Sequence, residues 1–121
     1  MAVIGLTGRN GAGKGEVAEI LVDAGYVYRS LSDALREELR HRGQEVTRDR
    51  LVAIGRELRA RDGSDVLARL TVETLEPGHN SIVDSVRNPG EVRYLRAHLS
   101  RFELWIVDAP PEIRFKRISA R

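Results

Sequence analysis

Apolar residues recur along the chain with two different spacings, and the shorter spacing marks strands. Four short segments combine apolar residues with β-branched or aromatic ones and are bounded by glycine, proline or polar turn residues. They cover residues 3–6, 26–30, 81–86 and 102–110. Each of these segments is therefore predicted to be a β-strand, in which Tyr28 is expected to pack as a strand residue and Trp105 to belong to the core.

The longer spacing is close to the helical period and predicts helices between the strands. The predicted helices run from Gly13 to Gly25 and over residues 32–43, 47–63, 64–78, 88–99 and 110–121. Three hydroxyl residues are predicted to cap helices: Ser32, Thr47 and Ser64. A hydroxyl oxygen can accept a hydrogen bond from a free N–H of the first turn.

This alternation of strands and helices predicts an α/β fold, with a mainly parallel sheet of about four strands and helices on both faces. The chain has 121 residues, of which 41% are hydrophobic, so we expect one small domain with its own core. The fourth strand is predicted to be an exposed edge through which a dimer could form. The sequence leaves the oligomeric state open.

Composition excludes several classes of protein. The chain contains no cysteine, which excludes disulfide frameworks and cysteine-based metal sites. No apolar run approaches the roughly 20 residues of a membrane span, and no basic segment precedes the first apolar run. The formal charge of +2 argues against sequence-independent nucleic-acid binding. We therefore expect a cytoplasmic protein whose partners are small molecules rather than nucleic acid or membrane.

A glycine-rich turn after the first strand nearly matches the P-loop pattern G-x-x-x-x-G-K-[ST]. It follows a predicted strand and opens a predicted helix, so its N–H groups and the helix N-terminus favour bound phosphate. Lys14 is then expected to reach the β- and γ-phosphates of a nucleotide. The predicted phosphate-binding residues are Gly8, Arg9, Asn10, Gly11, Ala12, Gly13, Lys14, Gly15 and Glu16.

The form GxxGAGKG, with Gly15 after the lysine, resembles the P-loop of adenylate kinase and other nucleoside monophosphate kinases. The segment SLSDALREEL resembles the start of the monophosphate-binding helix in that family. This resemblance implies that Ser32, Asp33 and Arg36 bind the acceptor. The nearest resemblance is to uncharacterised nucleotide-kinase-like proteins that are common in archaea.

Two later segments extend the resemblance. IVDSVRNPGEV resembles the family's D-G-x-P-R stretch, which implies that Arg87 binds the acceptor phosphate. RFKRISAR resembles the entry to the family's lid and implies that Arg117 and Arg121 contact the donor phosphates. Asp84, at the end of an apolar strand, could hold Mg²⁺ through water. Each arginine could instead be a solvated surface residue, and Asp33 and Asp84 could instead stabilise the next helix or turn.

The resemblance implies ATP-dependent phosphoryl transfer to a nucleoside monophosphate or similar small acceptor, with Mg²⁺ as cofactor. Compared with the family, residues 1–121 are expected to form a domain without the lid, the last strand and the last helix. Gly15 and Glu16 offer no hydroxyl to Mg²⁺, so metal binding would depend on Asp84. Two alternatives stay open: a dephospho-coenzyme A kinase-like enzyme, and a non-catalytic ATP-binding module or fragment.

Overall fold

A computed structural model describes residues 1–8 and 13–108 of the chain. These residues form four strands and five helices. The strands are β1 (Val3–Gly8), β2 (Val27–Ser30), β3 (Ser81–Asp84) and β4 (Phe102–Val107). The helices are α1 (Lys14–Asp23), α2 (Leu31–His41), α3 (Arg48–Asp62), α4 (Val66–Val72) and α5 (Pro89–His98).

The strands form one parallel sheet in the order β2-β3-β1-β4. Strands β1 and β3 therefore lie in the centre, which fits their apolar sequences. In a parallel sheet all carboxyl ends lie along the same edge. The sheet thus brings Gly8, Ser30 and Asp84, the last residues of three strands, to one side of the molecule.

Side chains alternate across the sheet and form a separate core on each face. Ile4 and Ile82 pack with Ala18 and Leu21 of α1 on one face. On the other face the sheet packs against helices α2 to α5, with buried residues from each of them. The predicted α/β architecture with helices on both faces is confirmed.

The starts of the helices differ in part from the predictions. Ser30 rather than Ser32 caps α2, because Ser30 keeps the extended backbone of β2 and its hydroxyl accepts the N–H of Ser32. Thr47 caps α3 as predicted. The prediction for Ser64 is wrong, since α4 begins one residue later, after Asp65, without a side-chain cap.

Strand β4 lies at an edge of the described sheet. The sequence favoured a core position for Trp105, but its exposed fraction is 39%, and that of Ile106 is 71%. These side chains are exposed because the described helices pack mainly over the central strands. Dimerisation through this edge stays a prediction, and the predicted helix over 110–121 lies outside the described residues. Within the described ranges, no helix is long and apolar enough to cross a membrane.

Candidate functional site

The turn between β1 and α1 uses glycine where no other residue fits well. Gly13 precedes α1 with φ at 101°, a left-handed conformation that side chains disfavour. A Cβ on Gly8 would overlap the carbonyl oxygen of Val107 in β4. Lys14 is the first residue of α1, so it belongs to the first turn, where the N–H groups have no partner within the helix. Residues 9–12 of the predicted phosphate-binding turn lie outside the described residues.

The carboxylate of Asp84 is the centre of a small polar cluster. Nζ of Lys14 lies 3.7 Å from Oδ1 of Asp84, and both side chains are largely buried, at 18% and 15% exposure. The hydroxyl of Tyr28 donates to Oδ2 at 2.6 Å. The N–H of Ser85 donates to Oδ1 at 2.7 Å. Three elements, α1, β2 and β3, therefore fix one carboxylate.

The surroundings of Tyr28 change the pKa of its hydroxyl. Burial, the hydrogen bond to Asp84 and the negative charge of Asp84 all raise the pKa of the Tyr28 hydroxyl above its ordinary value. The phenol therefore stays a neutral donor at physiological pH. A neutral donor holds Asp84 in place without cancelling its charge.

The backbone turns sharply after Asp84. Ser85 has φ at 66°, in the left-handed region, and is the one residue besides glycine with positive φ in the described part of the chain. Its hydroxyl oxygen accepts a hydrogen bond from the hydroxyl of Ser30 at 2.9 Å. The end of β3 is thus tied to the residue that caps α2.

Arg36 projects from the second turn of α2. Its Nη1 donates to the hydroxyl of Ser32 and to Oδ1 of Asp33, each at 2.9 Å. Asp33 also accepts the N–H of Ser30 and so completes a capping box at the start of the helix. Asp33 therefore both orients the guanidinium and stabilises the helix start.

An arginine-rich pocket of about 640 Å³ lies between α2, α3 and the segment after β3. Apolar residues such as Leu35 and Leu67 form part of its wall, and Ser32 and Ser85 also line it. Among the described residues, five arginines line it: Arg36, Arg48, Arg56, Arg59 and Arg87. The described lining includes no aspartate or glutamate, so the pocket favours an anionic ligand.

Glu91 is the buried group that holds two sides of this pocket together. Its side chain is fully buried at the start of α5. Oε1 accepts the backbone N–H of Arg87 at 2.7 Å and that of Asn88 at 3.2 Å. Oε2 accepts from Nη2 of Arg59 at 3.4 Å. One carboxylate thus fixes the segment after β3 and an arginine of α3.

The residues around Asp84 fit a metal ion that takes most of its ligands from water and a bound phosphate. Within residues 1–8 and 13–108, no group of three or more histidine or acidic residues has the arrangement of a metal site. Asp84 supplies one carboxylate, which fits Mg²⁺ held through water and phosphate oxygens. Apart from its chain neighbours and the nearby backbone of its own helix, no described atom lies within 4 Å of a Cβ built on Gly15, so there is room there for a larger residue.

The structure brings most of the predicted site residues to one edge of the sheet. Lys14 and Asp84 meet directly; Ser32, Arg36 and Arg87 line the arginine-rich pocket, and Asp33 pairs with Arg36. Gly15 and Glu16 lie in the first turn of α1. Arg117 and Arg121 lie outside the described residues.

Sequence reasoning missed several residues at this edge. The sequence favoured packing within the strand for Tyr28, whereas the Tyr28 hydroxyl donates a hydrogen bond to Asp84. Arg48, Arg56 and Arg59 look like ordinary charges on an amphipathic helix. Their spacing of eight and three residues, which puts all three on one helix face, is the signal that could have identified them.

Comparison with known proteins agrees with this geometry. The model of a family described as an AAA domain matches residues 4–121. A UPF0200 protein of Methanothrix thermoacetophila is 36% identical over 121 residues, and a UPF0200/UPF0201 protein of Archaeoglobus fulgidus is 33% identical over 126 residues. Both alignments cover the whole chain but only 66% and 39% of those relatives. A UPF0200 protein of Methanoculleus marisnigri is 34% identical, with 67% of its length covered.

Solved structures show the same fold. The crystal structure of TT1252 from Thermus thermophilus matches 99% of the chain and 72% of its own length, with a TM-score of 0.60 and 24% identity. A gluconokinase from Sinorhizobium meliloti 1021 matches 99% of the chain and 65% of its own length, with a TM-score of 0.52 and 19% identity. The predicted α/β fold of the P-loop NTPase type is confirmed.

Proposed function

This chain belongs to the AAA domain family, and we propose that it transfers the γ-phosphoryl group of ATP to a nucleoside monophosphate or a similar small acceptor. The proposal rests mainly on one observation. The four residues from Asp84 to Arg87 connect the lysine of the phosphate-binding turn to the arginine-rich pocket. Asp84 contacts Lys14, while Ser85 and Arg87 line the pocket.

Donor and acceptor phosphates repel each other, so a kinase must gather positive charge where they meet. Lys14 and the start of α1 provide charge for the donor. Arg36 and Arg87 provide it for the acceptor, where a guanidinium can bind phosphate through two hydrogen bonds. Mg²⁺ would neutralise further charge on the donor when bound, and Asp84 is the residue that would hold it through water.

The transfer itself needs little chemistry from the protein. The bond between the γ-phosphorus and the oxygen that bridges to the β-phosphate breaks, and its electron pair stays on ADP. A bond forms between the γ-phosphorus and an oxygen of the acceptor phosphate. That oxygen is already an anion, so no general base is required. The protein's contribution is to align the two groups.

The test is ADP formation from ATP and Mg²⁺ across a panel of nucleoside monophosphates, dephospho-coenzyme A and gluconate. Lys14→Ala removes the donor-site charge. Arg101→Ala, an exposed arginine before β4 at the opposite end of the sheet, is the control. We expect acceptor-dependent turnover that Lys14→Ala abolishes and Arg101→Ala retains.

Other outcomes would reassign the function. Turnover only with dephospho-coenzyme A or gluconate would indicate a kinase that uses a hydroxyl acceptor. The gluconokinase with the same fold makes this class worth including. ATP binding that Lys14→Ala abolishes, without turnover on any acceptor, would indicate a non-catalytic nucleotide-binding module.

A further inference from the structure

We propose that the acceptor carries two separate anionic groups, the second of which binds along α3. This inference rests on the proposed function, since it specifies the substrate class of the same site. It comes from the arginine-rich pocket, whose charge exceeds what one phosphate group requires.

The ion pairs divide the five arginines of the pocket into two sets. Arg36 pairs with Asp33 and Arg59 pairs with Glu91. Among the described residues, no carboxylate forms an ion pair with Arg48, Arg56 or Arg87. Some exposed arginines elsewhere on the described surface, such as Arg42 and Arg61, have such partners, so what distinguishes Arg48, Arg56 and Arg87 is that all three line the same cavity. Three arginines that line one cavity therefore have no carboxylate partner within residues 1–8 and 13–108.

The arginines of the pocket come from two parts of the chain. Arg36 and Arg87 come from α2 and from the segment after β3, beside the Asp84 cluster. Arg48 and Arg56 lie eight residues apart on α3, which corresponds to about 12 Å along the helix axis. The pocket therefore receives positive charge from two separate parts of the chain, α3 on one side and α2 with the segment after β3 on the other.

The wall of the pocket is also suited to a long, doubly charged molecule. Leu51, Val52 and Gly55 lie on the same helix as the two arginines and line the cavity with them. They provide an apolar surface for the part of the ligand between its charged ends. The absence of acidic side chains among the lining residues favours anions at both ends. A nucleoside bisphosphate has the required chemistry.

Calorimetric titration tests this inference without requiring turnover. The probes are adenosine 3′,5′-bisphosphate and adenosine 5′-monophosphate at one ionic strength. In the unaltered chain we expect the bisphosphate to bind at least tenfold more tightly, which corresponds to about 1.4 kcal/mol, because its second phosphate gains charge-assisted hydrogen bonds from the arginines of α3. The double variant Arg48→Gln/Arg56→Gln should reduce this ratio toward one while monophosphate binding persists.

A matched control uses the same helix. Arg50 projects from the first turn of α3, contacts Glu45, and does not line the pocket. Arg50→Gln removes one positive charge from the same helix outside the pocket and should retain the preference for the bisphosphate. Lys14→Ala should retain it as well, which would show that the donor site does not produce the preference. Thermal unfolding of each variant verifies that its fold is unchanged.

The inference fails if the unaltered chain binds both probes equally, or if the double variant keeps the preference. It also fails if Arg50→Gln lowers the ratio as much as the double variant does, since a diffuse surface charge would then explain it. Tighter, competing binding of a short single-stranded RNA through the same residues would overturn the assignment to a small molecule. If no acceptor is phosphorylated but the bisphosphate preference is present, the kinase proposal is refuted and the inference about the pocket stands.

Discussion

The hydroxyl of Tyr28 donates to Asp84 across 56 residues of sequence, at 2.6 Å. The two residues belong to neighbouring strands, β2 and β3, whose register sets Ser30 opposite Asp84. The carboxylate that contacts Lys14 is therefore positioned by a residue of the adjacent strand.

Tyr28→Phe should weaken both the site and the fold. The pair is partly exposed, so we expect the free energy of unfolding at neutral pH to fall by about 1 kcal/mol. The pKa of Tyr28 is higher in the folded state than in the unfolded state. Its contribution to the free energy of unfolding is therefore fully present below the ordinary tyrosine pKa of about 10, and it is lost as the pH rises above that value. Denaturant unfolding between neutral and alkaline pH measures this loss. It should be smaller in Tyr28→Phe, and equal losses in both chains would contradict the prediction.

Gly15→Ser should strengthen the Mg²⁺ dependence of ATP binding. The structure leaves room at this position, and a hydroxyl there is the usual metal ligand of a P-loop. Titration of Mg²⁺ at fixed ATP should show several-fold tighter metal binding. Gly15→Ala is the control, because alanine stabilises the helix by up to about 1 kcal/mol without adding a ligand. Equal Mg²⁺ dependence in the two variants would argue against a metal beside residue 15.

Ser85→Gly and Ser85→Ala should differ in stability. Ser85 has the left-handed backbone that glycine accepts without strain, and its hydroxyl accepts from Ser30. Glycine loses the hydrogen bond but relieves about 1 kcal/mol of strain, so we expect a change near zero. Alanine loses the hydrogen bond and keeps the strain, and should be about 1 kcal/mol less stable. Thermal or denaturant unfolding compares the two, and a more stable alanine variant would contradict this account.

Glu91→Gln should destabilise the fold by about 2–3 kcal/mol, because a buried charged acceptor is lost while Arg59 keeps its charge. The acceptor KM should also rise, since Glu91 holds the N–H of Arg87. Arg59→Gln and the double variant complete a mutant cycle, measured by denaturant unfolding. We expect a coupling of about 1 kcal/mol or more. Strictly additive effects would show that the 3.4 Å contact of these residues contributes nothing to stability.

The sequence predicted the order of strands and helices well, because apolar spacing and glycine stops report directly on local structure. The prediction failed at Ser32, because Ser30, two residues earlier, has the extended backbone that a cap requires. Side-chain periodicity cannot distinguish two nearby serines. The same limit applies to Trp105, whose burial depends on which helix packs over β4 rather than on its own strand.

Sequence motifs predicted the part of the candidate site that lies close in sequence to the strand ends. Lys14, Asp84 and Arg87 were identified because a glycine-rich turn and an apolar strand precede them. The contributions of Tyr28 and of the α3 arginines depend on strand order and helix packing, which connect residues far apart in the chain. Those relationships become visible only in three dimensions.

The unequal cores on the two faces of the sheet have a consequence for dynamics. Helix α1 contributes two buried residues, Ala18 and Leu21, to a cluster of five in the described chain, whereas the opposite cluster contains thirteen. Local opening of α1 should therefore cost less free energy than opening of α2. Amide hydrogens of α1 should exchange sooner, and ATP should slow their exchange selectively, because a ligand stabilises the conformation to which it binds.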